Sequence, residues 1–232
     1  MDKPAALTRQ RLRTPRAAAI AGIVFAVLFT FCVTLMRLSL PEDLGGSSTA
    51  ASLQENASKV SLALTFFPFA GIAFLWFMGV IRARLGKYED QFFSTVFFGS
   101  GLLFLAMVFS TAAVAGGILS SLTLASDTTF HSDVVTFGRA LIYNIMNVYA
   151  IRMAGVFMIS LGTIWIRTRV MPRLFVFLTF GLALIMLLAI NLSAWLILIL
   201  PAWVFVISVY ILVVSLRGEA EEAEGLVGAG EA

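Results

Sequence analysis

The sequence predicts an all-α, polytopic integral membrane protein: a helical bundle of six transmembrane helices with both termini cytoplasmic. Composition is the first observation that predicts this class, since 60% of the 232 residues are hydrophobic and 12% are charged. Soluble domains are about 45–50% apolar and about 25% charged. The second observation is a series of long apolar segments, and the third is the placement of the basic residues. So large an apolar excess indicates lipid as the solvent.

Six apolar segments are long enough to cross a hydrocarbon core of roughly 30 Å, which takes about 20 helical residues. They are Ala17–Leu38, Val60–Ile81, Phe92–Leu122, Val134–Ile166, Leu174–Ile190 and Trp195–Leu216. The last two form an almost unbroken apolar block, in which NLSAW (Asn191–Trp195) is the only polar turn signal. We interpret this block as a helical hairpin. Five spans is the alternative.

Most of the 16 Lys and Arg residues lie at one end of the predicted spans. They are Lys3, Arg9, Arg11, Arg13, Arg16, Arg82, Arg84, Lys87, Arg167, Arg169, Arg173 and Arg217. The opposite end has Arg37, Lys59 and Arg139, and Arg152 lies inside the fourth span. Because cytoplasmic loops are enriched in Lys and Arg, this pattern predicts that both termini are cytoplasmic.

The chain divides into three predicted parts. Residues 1–16 form a basic cytoplasmic tail, residues 17–216 the transmembrane domain, and residues 217–232 an acidic cytoplasmic tail. The last part is rich in Gly, Ala and Glu and cannot bury a core, so we expect it to be disordered. The basic start resembles a signal peptide. However, the apolar run that follows is longer than usual and has no A-x-A-like cleavage site, which favours an uncleaved first span.

Two of the predicted spans have small residues at helix-packing spacing. In the first span these are Ala18, Gly22 and Ala26, and in the third they are Ala106, Ser110, Ala113, Gly117 and Ser120. Small residues on one face let helix backbones approach closely in lipid. We therefore predict that both faces pack inside the bundle, with homodimerisation as the alternative.

The fourth span is the most polar, and its sequence NVYAIRMAG carries an arginine. At about 100° per residue, Asn144, Arg152 and Gly155 share one arc, with Tyr149 beside Arg152. An ionisable residue inside the membrane costs roughly 2.5–3.5 kcal/mol and usually faces the bundle interior or a wet cavity. No Asp or Glu lies within the predicted spans. The pattern therefore predicts a small polar cavity of Arg152, Tyr149 and Asn144 that attracts an anion, such as a lipid phosphate, chloride or a carboxylate.

An alternative for Arg152 follows from its depth in the outer half of the span. Helical side chains lean toward the helix N-terminus, which here faces outward, so Arg152 could instead reach the lipid headgroups. Arg139 lies 13 residues earlier and on another face. We predict that Arg139 and Asn147 make contacts at the outer interface.

Motifs that would support catalysis are missing from the sequence. It has no HExxH, GxSxG or Walker motif and no carboxylate pair within the predicted spans. We therefore expect no catalytic residue, cofactor or metal. A non-enzymatic scaffold, sensor or accessory subunit is favoured, and the alternatives are a small transporter or channel using Arg152 and a lipid-modifying membrane enzyme. The expected partners are membrane lipids, an anionic ligand or lipid headgroup and a second copy of the chain, and no nucleic acid.

Four stretches carry a resemblance to a group of bacterial proteins. They are PRAAAIAGIVFAVLF (Pro15–Phe29), FPFAGIAFLWFMGVIR (Phe67–Arg82), EDQFFSTVFFGSGLLFLAMVF (Glu89–Phe109) and YAIRMAGVF (Tyr149–Phe157). Together they resemble bacterial six-helix inner-membrane proteins. The resemblance implies a multi-pass protein of the bacterial inner membrane, and it brings neither an activity nor a role for any residue.

Overall fold

A computed structural model describes residues 3–39, 56–85, 91–124, 128–188 and 193–230, and every regular element in these ranges is helical. The helices are α1 (Lys3–Ser39), α2 (Ala57–Leu85), α3 (Gln91–Leu124), α4 (Thr128–Asn144), α5 (Ile151–Thr168), α6 (Arg173–Leu188) and α7 (Ile199–Gly230). A π-helical segment, Ile145–Ala150, joins α4 to α5, and a 3₁₀ turn, Ala194–Leu198, precedes α7. The predicted all-α class is confirmed. Residues 40–55, between the first two predicted spans, and Asn191 and Leu192 of the NLSAW turn lie outside the described residues.

Five described helical stretches have the length and apolar composition to cross a membrane. They are Arg16–Ser39, Ala57–Ala83, Phe92–Ser121, Val134–Thr168 and Trp195–Arg217. The remaining apolar helix, α6, has 16 residues, or roughly 24 Å at 1.5 Å per residue. This length is less than the roughly 30 Å of the hydrocarbon core. Five helices can therefore span a bilayer without α6, and six with it.

Backbone chemistry explains why apolar segments of this kind form helices. In lipid every N–H and C=O must find a partner within the protein, and a helix supplies it within its own segment. Several Ser and Thr hydroxyls also donate to the carbonyl four residues earlier, for example Ser160 to Val156 O at 2.8 Å and Thr163 to Ile159 O at 2.9 Å. These hydroxyls are satisfied locally, so their presence in a span does not indicate a site.

The helices pack in an order that differs from a series of sequential hairpins. Helix α1 contacts both α2 and α7, α3 contacts α2, α4 and α5, and α6 packs mainly on α5. Helices α6 and α7 meet over a small area, where the buried Trp203 Nε1 donates to Thr179 Oγ1 at 2.8 Å. The predicted α6–α7 hairpin is therefore held largely through the neighbours of each helix.

A column of aromatic rings fills the interior of the bundle. From Phe67 it runs through rings whose centroids are 5.3–6.3 Å apart, which are Phe29, Phe104, Phe74, Phe157, Trp203 and Trp165. All seven side chains are buried. Tilted and edge-on contacts at these separations are favourable for aromatic rings. These rings therefore belong to the apolar core in the middle of the bundle.

The two faces of small residues have different environments. In α1, Ala18 and Ala26 are buried, and a Cβ on Gly22 would collide with Ser208 of α7 and Phe77 of α2. This face packs inside the bundle, as predicted. The small-residue face on α3, from Ala106 to Ser120, is exposed over its whole length. It does not pack inside the described bundle, and homodimerisation through it stays a prediction.

Helix α7 continues beyond the last apolar span through the acidic run to Gly230. The structure describes this segment as helix, whereas its composition predicts disorder. Ala, Glu and Leu are favourable helix formers, and a helix already formed by a span extends at low cost because the nucleation step is complete.

Helix α5 ends on a residue with an unusual backbone. Arg169 has φ 53°, in the left-handed region, and its N–H donates to Trp165 O at 2.9 Å. This conformation costs a residue with a Cβ roughly 1–2 kcal/mol, and glycine is the usual occupant of such a helix end. Arg169 is the one non-glycine residue with positive φ among the residues that the structure describes.

Candidate ligand-binding cavity

A cavity of about 400 Å³ lies near the C-terminal end of α1, between α1, α2, α3 and α4. We call the end of the bundle at which α1 ends the outer end, after its predicted orientation. The opposite end, around Arg169–Arg173, is the inner end. Most of the cavity wall is apolar. Its apolar members are Val33, Met36, Phe67, Ala140, Ile142 and Met146. A volume in this range matches those of small-molecule sites, which are concave and mostly apolar with a few polar groups.

The polar part of the wall comes from three different helices. Its members are Arg37 of α1, Thr111 of α3, and Arg139, Tyr143 and Asn144 of α4. Two of these are arginines, which stay protonated in proteins. Sequence reasoning about the fourth span alone did not bring Arg37 and Arg139 together. The sequence did contain a signal for this pair, however. Arg37 and Arg139 are two of the three basic residues at the predicted outer end, where few basic residues occur.

Arg139 is buried, with 8% of its surface exposed. Its neighbour Gly138 allows this, since a Cβ there would lie 2.6 Å from Ile118 Cδ1 of α3. Glycine thus lets α4 approach α3 closely enough to set Arg139 in the bundle. Arg139 therefore lines the wall of the cavity at this end of the bundle, and its predicted contact with the outer interface stays a prediction.

Asn147 connects the α4 side of the site to α1. Its Oδ1 accepts a hydrogen bond of 2.8 Å from Arg37 Nη2, and its Nδ2 donates to Tyr143 O at 3.1 Å. Asn147 is also buried, at 6% exposure. The two bonds hold one guanidinium of the cavity wall in place, so Asn147 positions Arg37. It does not itself line the cavity among the described residues.

Asn147 lies in the π-helical segment, where the hydrogen bonds reach back five residues. The N–H of Ile151 donates to Met146 O at the end of this segment. Each π turn takes more residues than an α turn, so the regular spacing of about 100° per residue does not extend from α4 into α5. Such segments are rare and often occur at functional sites.

The structure separates the three residues of the predicted polar cavity. Asn144 lines the cavity, and its Nδ2 donates to Ala140 O at 2.9 Å. Arg152 lies eight residues further along the chain, beyond the π segment, and its Nη1 donates to Val148 O at 2.5 Å. Tyr149 is 57% exposed. Neither Arg152 nor Tyr149 is among the described residues of the wall.

Gly155, which the sequence places on the same arc as Arg152, contacts α6 and not an open space. A Cβ on Gly155 would lie 2.9 Å from Leu187 Cγ and 3.2 Å from the Ala183 carbonyl oxygen. The space beside Gly155 is thus filled by the neighbouring helix. Arg152 meanwhile leans toward the N-terminus of its helix, as expected, and donates to the backbone carbonyl of Val148.

The cavity combines two permanent cations with apolar walls, and this arrangement suits an amphipathic anion. Each guanidinium has five N–H donors in a fixed plane that can bind carboxylate or phosphate through two parallel bonds. Such bonds strengthen where water is excluded. Tyr143 and Asn144 line the cavity and are also exposed on the bundle surface. The cavity therefore reaches that surface between the helices.

No family model, curated protein or solved structure matches this chain. The likeness to bacterial inner-membrane proteins therefore stays a prediction.

Proposed function

We propose that this chain is a non-enzymatic membrane protein, a sensor or accessory subunit, that binds an amphipathic anion at its outer end. The observation that carries the proposal is that Arg37 and Arg139 line one largely apolar cavity. A carboxylate or phosphate head would bind the guanidinium groups, and an acyl chain or similar tail would contact Met36, Phe67 and Ile142.

The packed interior favours binding over transport. A channel or transporter needs a polar path to the other side, and the aromatic column starts at Phe67 in the cavity wall. Its rings continue through the bundle to Trp165 near the inner end. This column of buried aromatic side chains is apolar, which favours binding over the transporter alternative. An enzyme acting on lipid would need acid–base groups, and the predicted spans contain no Asp or Glu.

The ligand class can be tested with four amphiphiles of one chain length: a carboxylate, a phosphate, an alcohol and an ammonium. Binding to the wild-type protein is measured in nanodiscs of zwitterionic lipid. The two anions are expected to bind most tightly and the ammonium most weakly, because the wall has two cations. Equal affinity for all four would indicate an apolar cavity that does not select its ligand by charge, and it would contradict this proposal.

We further propose six spans, with both termini in the cytoplasm of a bacterial inner membrane. The clustering of basic residues at the inner end supports this orientation. The topology can be tested in a Cys32→Ala background with Ser47→Cys or Val170→Cys added. We expect a membrane-impermeant thiol reagent to label Ser47→Cys in intact cells, and Val170→Cys only after the membrane is opened. The reverse pattern would contradict the orientation.

A further inference from the structure

A second cavity, of about 420 Å³, lies at the inner end, where α5 ends and α6 begins. We call it the inner groove. Trp165 and Val176 are buried in its wall, and Arg169 and Arg173 are exposed along it. None of these residues takes part in the outer cavity.

We propose that the inner groove binds an anionic phospholipid, with its headgroup phosphate between Arg169 and Arg173. The upper part of an acyl chain would lie along Val176 and Phe177. Basic pockets between membrane helices at the cytoplasmic side are a recognised type of lipid headgroup site.

The order of residues in α6 supports a lipid over a free anion. Arg173 begins the helix, and Val176 and Phe177 follow one turn further into the apolar segment. Phe177 is exposed on the bundle surface. A molecule held by Arg173 would thus meet apolar side chains directly below its charged group. This sequence of charge and then apolar surface matches a phospholipid at the membrane interface.

The left-handed backbone conformation of Arg169 is an independent indication that its side chain has a functional role. The residue holds the left-handed conformation that glycine adopts at lower cost, and it is the cap of α5. A residue in a costly conformation points to a functional constraint at that position. Here the left-handed turn sets the guanidinium along the groove between α5 and α6.

The nearby Arg167 provides a contrast. Its guanidinium lies 4.7 Å from the centroid of the Phe93 ring, so it ties α5 to α3 by a cation–π contact. Arg169 and Arg173 line the groove instead. The arginines at this end therefore make different contacts. Arg167 packs on a ring, whereas Arg169 and Arg173 line the groove.

The inner groove is separate from the outer cavity. Trp165 follows Arg139 by 26 residues along α4, the π segment and α5, and the α-helical part alone is roughly 30 Å long at 1.5 Å per residue. One molecule with a small head and a single chain cannot span both. Loss of binding at one site can thus be measured without loss at the other.

The test uses the full chain in a non-ionic detergent, with binding measured by native mass spectrometry. The titrants are short-chain phosphatidylglycerol, short-chain phosphatidylcholine and inorganic phosphate. We expect phosphatidylglycerol to bind most tightly, and Arg169→Gly and Arg173→Gln each to weaken it about fivefold. The Tm of Arg169→Gly is expected not to fall, because glycine adopts the left-handed conformation more easily. A loss of phosphatidylglycerol binding in Arg169→Gly would then not be caused by unfolding.

Arg217→Gln is the matched control, since Arg217 is exposed, lies at the same end and is absent from the groove wall as described. It is expected to leave phosphatidylglycerol binding unchanged. If Arg217→Gln weakens binding as much as Arg173→Gln does, the attraction is diffuse and the site is overturned. Equal affinity for inorganic phosphate and phosphatidylglycerol would overturn the lipid as its occupant.

Discussion

Replacing Arg139 by methionine is expected to weaken the binding of an anionic amphiphile by at least about 30-fold. Methionine keeps much of the length and the apolar stem but removes the charge and every donor. Removing one partner of a buried, hydrogen-bonded charge pair costs about 2–5 kcal/mol, and each 1.4 kcal/mol is tenfold in affinity. The burial of Arg139 in the cavity wall is the reason for placing it in that class. The measurement is the dissociation constant in zwitterionic nanodiscs.

Two comparisons separate a lost contact from a damaged fold. The alcohol of the same chain length has no charge, so it should bind the wild-type protein and Arg139→Met equally. The matched variant is Arg152→Met, which removes a cation of the same predicted span. Arg152 donates to Val148 O and is absent from the described wall. Arg152→Met should leave the affinity for the anion nearly unchanged.

The outcome decides between two placements of the positive charge. If Arg152→Met costs as much anion affinity as Arg139→Met, the site predicted from the sequence of the fourth span is the better description. If Arg139→Met weakens the alcohol as much as the anion, Arg139 has a packing role. Either result would contradict the proposed contact between Arg139 and the anionic head.

The helices could be predicted from the sequence because lipid allows few alternatives. A segment of about 20 apolar residues must satisfy its backbone internally, so hydropathy alone located five long spans close to where the structure describes them. The short helix α6 was harder, since its apolar block continues toward α7 and the boundary depends on a turn. The apolar pattern of α6 is that of a span, but its 16 residues are fewer than a span usually has.

The cavity could not be predicted in the same way, because it is formed by residues far apart in the sequence. Arg37 and Asn147 are 110 positions apart and meet through one hydrogen bond. A helical wheel compares positions within one helix and contains no information about which neighbour faces them. The π segment added a second difficulty, since it breaks the regular rotation between Asn144 and Arg152.

Gly155 shows a further limit of the sequence pattern. A glycine on a polar arc can indicate either space for a ligand or close contact with another helix. The structure gives the second meaning, because Leu187 and Ala183 of α6 lie against it. The choice depends on the position of α6, which the sequence of α5 does not specify.

Substituting valine for Gly155 is expected to destabilise the bundle by about 3 kcal/mol. Even the first added carbon would lie 3.2 Å from the Ala183 carbonyl oxygen, a backbone atom that cannot move unless α6 moves. Overfilling a packed interior typically costs about 1–3 kcal/mol, and the two further methyl groups favour the upper value. Because α6 packs mainly on α5, it has few other contacts to hold it. The measurement is the free energy of unfolding in mixed micelles.

Gly181→Val is the matched control, since Gly181 belongs to α6, the helix that Gly155 contacts, and a Cβ there meets nothing within 4 Å among the described residues. It should change the free energy of unfolding little. The outer cavity has no described residue from α6 in its wall, so Gly155→Val should keep the affinity for the anionic amphiphile wherever the protein stays folded. Equal loss of stability in the two variants would contradict the close α5–α6 contact. Loss of anion affinity in folded Gly155→Val would show that the wall extends to α6, and that the position of this helix sets the shape of the site.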